Sequence, residues 1–449
     1  MSYYATAYTQ RPVGVKIDRL MRRMVSPITG LDKTVGFSLH DRGSAGLYVS
    51  VAQLPAVHRL VELKKPLSYH LGGYGLKPEE ALIRVLGETT ERYAHMVCLA
   101  SGALPRRFAT AEEMRAAGLE IMDFEGWNFF LDEHYARPRA LYQPYRPDAP
   151  MLWMETWSLT DRKPFWVPAQ LLVLGYLTRR DRGEPRLAAA MTTGTAAHTV
   201  PEKALNSSIL ELLQMDAAMG FWYSGGTSPE IEFDDRLATL GAILREVKGD
   251  AYEPCFHYVA SAGFDVHVVV CILRSRKGEL PCTGVGIACA TSLEWACYKA
   301  FIEASAIPHL AQIGFLYAPA VLRGETSIDP DSIDDLDLNV LYYAMPEHAP
   351  RLDLRFSRTD RVRASELPRF PRMSEPELTR YLVDRFRANG LSLCYLELTP
   401  PDVRDLGFYV CRTYSPHLLS MSLPSYPQAG HPRMKQYGGF NVADPHPFP

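Results

Sequence analysis

Glu88, Glu91 and Arg92 fall at i, i+3 and i+4 within the stretch ALIRVLGETTERYAHM, whose apolar residues recur at helical spacing. Two carboxylates and a guanidinium therefore share one side of a helix, flanked by Leu86 and Tyr93. A second stretch, EKALNSSILELLQMDAAMGFWY over 202–223, sets Glu211, Gln214 and Asp216 among Leu210, Leu212, Leu213 and Met215. Carboxylates in such surroundings are unfavourable unless they meet cations or a metal. Several carboxylates with an arginine point to magnesium and phosphate, hard oxygen chemistry, rather than to zinc or iron.

Three helices must position these groups. They read as 79–96, 202–223 and 294–310, the last being EWACYKAFIEASAIPHL. Each carries an alanine followed seven residues later by a glutamate: Ala81 and Glu88, Ala204 and Glu211, Ala296 and Glu303. Seven residues is two helical turns, so alanine and glutamate lie on one face. Each helix also follows a glycine-bearing loop: LGGYGLKP, TTGTAAHTVP and GVGIACATS. Small faces allow close packing, and the glutamates then converge between the helices. The competing reading is three solvated glutamates on Ala/Glu-rich helices.

The rest of the chain narrows the choice. Its 449 residues, 47% hydrophobic and 22% charged, describe a globular protein with a generous core. A net charge of −3 offers no polycationic footprint for nucleic acid. No apolar run approaches the ~20 residues of a membrane helix, and the N-terminus lacks a secretory apolar core. The eight cysteines include no C-x-x-C and several sit in apolar runs, which reads as reduced thiols in a cytoplasmic protein without a zinc site. There is no Gly-Lys dipeptide and hence no P-loop, no completed dinucleotide fingerprint, no H-E-x-x-H and no G-x-S-x-G. His257 and His267 read as ordinary strand residues. Finally, ADPHPFP places Pro445, Pro447 and Pro449 at alternate positions, a stiff extended stub that is neither helix nor central strand.

These segments, in order, resemble the YcaO family of ATP-dependent enzymes that modify peptide backbones, over roughly residues 65 to 449. The first helix is similar to the family's A-x-x-S-x-x-E-x-x-E-R-Y. The second resembles its G-x-A-A-H…L-x-E-L-x-x-x-D. GVGIACATSLEWACYKAFIEA, TPPDVRDLGFYVCRTYSPHLLSM and the terminal P-x-P-x-P come next, in the family's order. The last of these marks the branch that forms azoline rings in ribosomally synthesised peptides. The resemblance implies an α+β fold of sheets packed on long helices that enclose ATP without a P-loop. It divides the chain into an N-terminal segment, 1–64, and a catalytic domain, 65–449. Residues 1–64 are then either a docking element or strands that complete a sheet.

By the same resemblance Glu88, Glu91 and Glu211 ligate Mg2+, while Arg92, Glu202 and Gln214 join them around ATP. The tail, with Pro445, Pro447 and Pro449, threads back to order the catalytic face. No general base is nominated; the Pro449 carboxylate and a tail histidine are candidates. Val85, Tyr74 and Ala306 depart from frequent family residues, and Gln214-Met215 replaces a common Glu-Arg. That leaves a branch with retuned metal binding or a copy that binds without turnover, and the intact Glu88/Glu91/Arg92 set favours activity. The implied reaction is cyclodehydration of Cys, Ser or Thr in a precursor peptide to thiazoline or oxazoline. The rivals are thioamidation and a non-catalytic scaffold role. Implied partners are the precursor peptide, a leader-binding E1-like (ThiF-like) protein, an FMN-dependent azoline dehydrogenase and a second copy of the chain, with no membrane or nucleic acid.

Overall fold

A computed structural model describes residues 13–38, 43–54, 71–100, 102, 104–124 and 126–448. Pro449, residues 65–70 at the expected start of the catalytic domain, and residues 39–42 of the N-terminal candidate docking stretch lie outside these. The fold is α+β. Strands β1 (Thr34–Phe37), β2 (Tyr48–Gln53) and β3 (Leu71–Gly75) form an antiparallel sheet. A five-stranded sheet has the order β11-β10-β9-β8-β12. Its members are β8 (Ser228–Glu232), β9 (Tyr252–Val259), β10 (His267–Ser275), β11 (Thr283–Ala290) and β12 (Phe356–Arg363). A six-stranded sheet runs β4-β5-β13-β14-β7, with β6 paired to β5. It comprises β4 (Arg106–Ala109), β5 (Met151–Ser158), β6 (Lys163–Pro168), β7 (Thr195–His198), β13 (Cys394–Glu397) and β14 (Tyr409–Tyr414).

Six helices bear on the site and its surroundings: α1 (Val13–Met24), α2 (Pro78–Val97), α3 (Pro201–Ser224), α4 (Leu293–Tyr317), α5 (Leu336–Ala344) and α6 (Glu375–Ala388). Helices α2, α3 and α4 are the three expected from periodicity, and α4 runs on past Leu310 to Tyr317 with Pro308 inside it. Proline opens both α2 and α3, where a missing N–H is harmless. Helix α3 is buried nearly all round: it packs on β7 and β14 of one sheet and β9 and β11 of another. Helix α2 bridges β2 and β3 to β7 and β14, and α4 covers β10 and β11 while reaching β3.

The alanines seven residues ahead of the glutamates set the spacing. Ala81, Ala204 and Ala296 are at most 1% exposed. Glycines on the facing strands allow backbone-to-backbone approach. A Cβ at Gly73 would lie 2.0 Å from Ala81 O, and one at Gly286 would lie 2.3 Å from Ala304 N. No side chain fits there.

Candidate functional site

Strand β3 feeds α2 and strand β11 feeds α4 in the same way. The Gly72 N–H donates to Glu88 Oε2 at 2.8 Å, and the Ile287 N–H donates to Glu303 Oε2 at 2.8 Å. In both units the acceptor lies 16 residues after the donor. The glutamate thus ties the helix back to the strand that precedes it, with its other oxygen left for further partners. On α3 the equivalent tie goes across to β11: the Cys289 N–H donates to Gln214 Oε1 at 2.9 Å.

Arg92 holds the two α2 carboxylates together. Its Nη2 donates to Glu88 Oε1 at 3.1 Å and its Nη1 to Glu91 Oε1. Burial pushes the Glu91 carboxyl up to about 7; Arg92 pulls it down, Glu88 pushes it further up, and Arg412 lowers it. Glu211 is lifted well above the usual carboxylate range by burial and by Glu91, against Arg92, Lys299 and Arg412. Glu303 is raised to about 7 by burial, against the Ile287 N–H, Lys299 and Arg84. Cations are perturbed in the opposite sense. Burial and Arg84 lower Lys299 while Glu303 and Glu211 support its charge, and burial draws Arg412 down to about 10. Three helices and β14 therefore share one electrostatic field.

Arg412 is only 2% exposed and is fixed by backbone oxygens. Its Nη1 donates to Met191 O at 2.7 Å and its Nη2 to Leu171 O at 3.0 Å, while its buried Nε has no partner. Thr195 Oγ1 accepts from Arg412 Nη1 at 3.2 Å and contacts His95 Nε2 at 2.9 Å. Burial keeps His95 neutral, and its Nδ1 accepts from the Leu174 N–H, so Nε2 carries the proton given to Thr195.

The structure brings together Glu88, Glu91, Arg92 and Glu211, and ties Gln214 to the Cys289 N–H of β11. It leaves Glu202 exposed in the first turn of α3, about 13 Å along the helix axis from Glu211. Among the described residues no three His, Cys, Asp or Glu side chains form a ready-made metal cluster. The donor set still suits magnesium with phosphate. Mg2+ is ordinarily held by one or two carboxylates plus the oxygens of its phosphates rather than by an all-protein cage. Carboxyls raised by burial would be drawn toward their ionised form by such a guest, and the unpartnered Arg412 Nε points to a missing acceptor. Sequence reasoning left Lys299 and Arg412 out. Lys299 stands four residues before Glu303 on α4, the spacing of an ordinary surface pair, and Arg412 is the one charge in the apolar strand YVCRTY.

Asp216, two residues past Gln214, belongs to a different buried cluster. It accepts from Arg433 Nη2 at 2.6 Å, from Tyr437 Oη at 2.8 Å and from the Leu419 N–H at 2.9 Å. Burial lifts the Asp216 carboxyl against these donors; it also works against the Arg433 charge, which Asp216 more than restores. Beyond this pair the chain runs along α3 and α5. Trp222 Nε1 donates to Asp444 O at 2.9 Å, and Asn339 Nδ2 donates to His446 O at 2.7 Å. Tyr343 Oη donates to Pro445 O, and Phe448 is fully buried. Pro445 and Pro447 are buried as well.

All eight cysteines are free thiols, seven of them buried, and no helix among the described residues is long and apolar enough to cross a membrane. His257 and His267 are buried strand residues, the first against Ser228 O and the second with its ring tilted against that of Phe370.

No curated protein matches the chain. Among solved structures it resembles a heterocyclase in complex with substrate and cofactor, at TM-score 0.73 and 18% identity, over 97% of this chain and 57% of that one. It thus spans little more than half the length of that protein. YcaO from Methanopyrus kandleri bound with AMPPCP and Mg2+ aligns at TM-score 0.59 and 19% identity, over 90% of each chain. The E. coli microcin synthetase McbBCD complex with pro-MccB17 bound aligns at TM-score 0.59 and 14% identity, over 95% of this chain and 99% of that one. At these identities the likeness is one of fold. The family described as YcaO cyclodehydratase, ATP- and Mg2+-binding, matches residues 72–419, from the first glycine loop to just beyond β14, and the chain belongs to it.

Proposed function

We propose that this ATP- and Mg2+-dependent enzyme forms azoline rings in a ribosomally synthesised precursor peptide. The observation that carries the reading is the convergence of Glu88, Glu91 and Glu211 from two helices, beside Arg92, Lys299 and Arg412. In our assignment the three glutamates hold Mg2+ at the ATP phosphates. Arg92, Lys299 and Arg412 meet phosphate oxygens, Gln214 braces β11, and Glu202 stands at the outer end of the nucleotide. Bound magnesium neutralises charge as it develops on the transferred phosphoryl group.

A Cys, Ser or Thr side chain of the substrate gives its proton to a base and attacks the preceding carbonyl carbon, and the C=O π electrons move onto oxygen. That oxygen takes the γ-phosphoryl group of ATP, leaving ADP. The amide nitrogen then loses its proton and forms C=N as phosphate departs. The chain's own part is to hold the carbonyl oxygen in line with ATP and to keep water out. The burial of Pro445 and Pro447, with Tyr343 Oη donating to Pro445 O, supports placing the tail on the catalytic face. The N-terminal strands β1 and β2 pair through to β3, which favours a sheet-completing role for that segment over a free docking arm. A leader-binding protein of the E1-like class is the partner we expect, because this chain covers only 57% and 50% of two similar heterocyclase chains.

The test is incubation of the purified protein and its partner with ATP and a cysteine-bearing precursor peptide, read by mass spectrometry. Loss of one water mass per ring supports the reading. Oxygen-to-sulfur exchange would indicate thioamidation, and an unchanged peptide with no ATP consumed would indicate a scaffold.

A further inference from the structure

Helices α2 and α4 lay two stripes of side chains side by side. On α2 the stripe is Glu80, Arg84 and Glu88; on α4 it is Trp295, Lys299 and Glu303, each step one helical turn. At one end Tyr298 Oη donates to Glu80 Oε2 at 2.8 Å, and Arg84 Nη2 donates to Glu80 Oε1 at 2.9 Å. At the other end burial, and then Glu88 and Glu303, raise the Tyr74 hydroxyl. Lys299 stands between the two ends, in the field of Arg84, Glu303 and Glu211. A line of fixed side chains therefore leads from the carboxylate cluster out to Trp295.

Trp295 is 49% exposed. A single exposed aromatic is ordinary on a protein surface; this one is set apart by its support. Its ring stacks on that of Tyr298, with centroids 5.2 Å apart and planes 28° from parallel. Tyr298 is itself buried and tied to Glu80, which also accepts the Leu76 N–H at 3.0 Å. The Ser292 hydroxyl accepts the Trp295 N–H at 3.3 Å and caps this first turn of α4. Such a pre-set aromatic face is what a nucleobase stacks on, and the stack asks for no hydrogen-bond pattern. Lys299, a phosphate ligand in the assignment above, follows about 6 Å further along the helix axis. A nucleotide held there by its phosphates carries its base a sugar's length away, the step from Lys299 to Trp295. Resting on that assignment, we infer that Trp295 is the platform on which the base of bound ATP stacks, held in place by Tyr298 and Glu80.

The test compares two probes that differ in carrying a base, AMPPCP and inorganic tripolyphosphate, each with Mg2+. Calorimetry reads their affinities for the full protein. Trp295→Ala should weaken AMPPCP roughly 10-fold or more, the scale of losing one aromatic–base stack, and leave tripolyphosphate binding as in wild type. Trp295→Phe should keep most of the AMPPCP affinity. AMPPCP should also quench the tryptophan emission of the wild-type protein, and most of that quench should vanish in Trp295→Phe. Unchanged AMPPCP affinity in Trp295→Ala, or an equal loss for tripolyphosphate, would overturn the inference. So would a loss confined to the affinity for a cysteine peptide, which would give the platform to the substrate instead. Ring formation, read separately by mass spectrometry, tests the azoline reading: a base-dependent loss in a protein that forms no ring leaves the platform standing and refutes that reading alone.

Discussion

Replacing Arg433 with methionine leaves the Asp216 carboxylate buried with only Tyr437 Oη and the Leu419 N–H as donors. The two side chains are 3% and 1% exposed, so water cannot take the place of the guanidinium. Breaking such a pair from one side destabilises a protein by roughly 3–5 kcal/mol, a large part of a total near 5–15. Asp216→Leu should do comparable damage by stranding Arg433. Tyr437→Phe removes one bond to a charged acceptor and should cost about 1.5–3 kcal/mol. The double variant Asp216→Leu/Arg433→Met should regain most of the loss, because apolar replacement of both partners removes the desolvation penalty as well. Urea unfolding monitored by circular dichroism measures all four proteins. A coupling energy of about 3 kcal/mol or more is expected from the cycle. Single variants within ~1 kcal/mol of wild type, or a double variant equal to the sum of the singles, would refute the argument that this pair is a closed ionic contact.

Glu88→Gln and Glu91→Gln should each lower ATP turnover about 100-fold or more, the scale of losing one preorganised electrostatic contact, while circular dichroism stays unchanged. Gln214→Glu should reduce the magnesium concentration needed for half-maximal rate; an unchanged or raised requirement would place this residue outside the metal's reach. Deleting Pro445 to Pro449 should abolish ring formation more severely than AMPPCP binding, and Phe448→Ala alone should destabilise by about 3–5 kcal/mol because its ring is fully buried. Asp32 is fully buried, held by the Thr89 hydroxyl at 2.9 Å, and raised by burial to about 7. The folded protein keeps that proton more tightly than the unfolded chain does. The contribution of Asp32 is therefore full below pH ~4 and is lost, up to about 4 kcal/mol, as pH rises through about 7. Asp32→Asn should flatten this slope, with the gain in melting temperature seen at pH 8 and absent at pH 4.

The three helices and their carboxylates were legible because the chemistry there is local: an alanine and a glutamate seven residues apart need only helical geometry to share a face. The cations were harder to see. Lys299 beside Glu303 has the spacing of any solvated surface pair, and Arg412 finds its oxygens at Met191 and Leu171, more than two hundred residues away. The same distance hides Arg433 from Asp216 and Asp444 from Trp222. Stiffness of the tail comes from its prolines, but its address comes from Asn339 and Tyr343, which periodicity marks only as part of a helix. Glu202 shows the reverse: its alignment with a nucleotide position was legible, yet its exposure depended on where α3 emerges from between the sheets.

Residues 444–448 pack against partners made long before them in synthesis. His446 meets Asn339 across 107 residues and Asp444 meets Trp222 across 222. At ~5–20 residues per second, translation leaves α5 waiting roughly 5–20 s for the segment that plugs it. During that interval the slot for Phe448 stands open as an apolar surface on the nascent chain, a natural handle for a chaperone. If the tail completes the catalytic face as proposed, ring formation waits on the making of this segment, long after the carboxylates of α2 and α3 are in place.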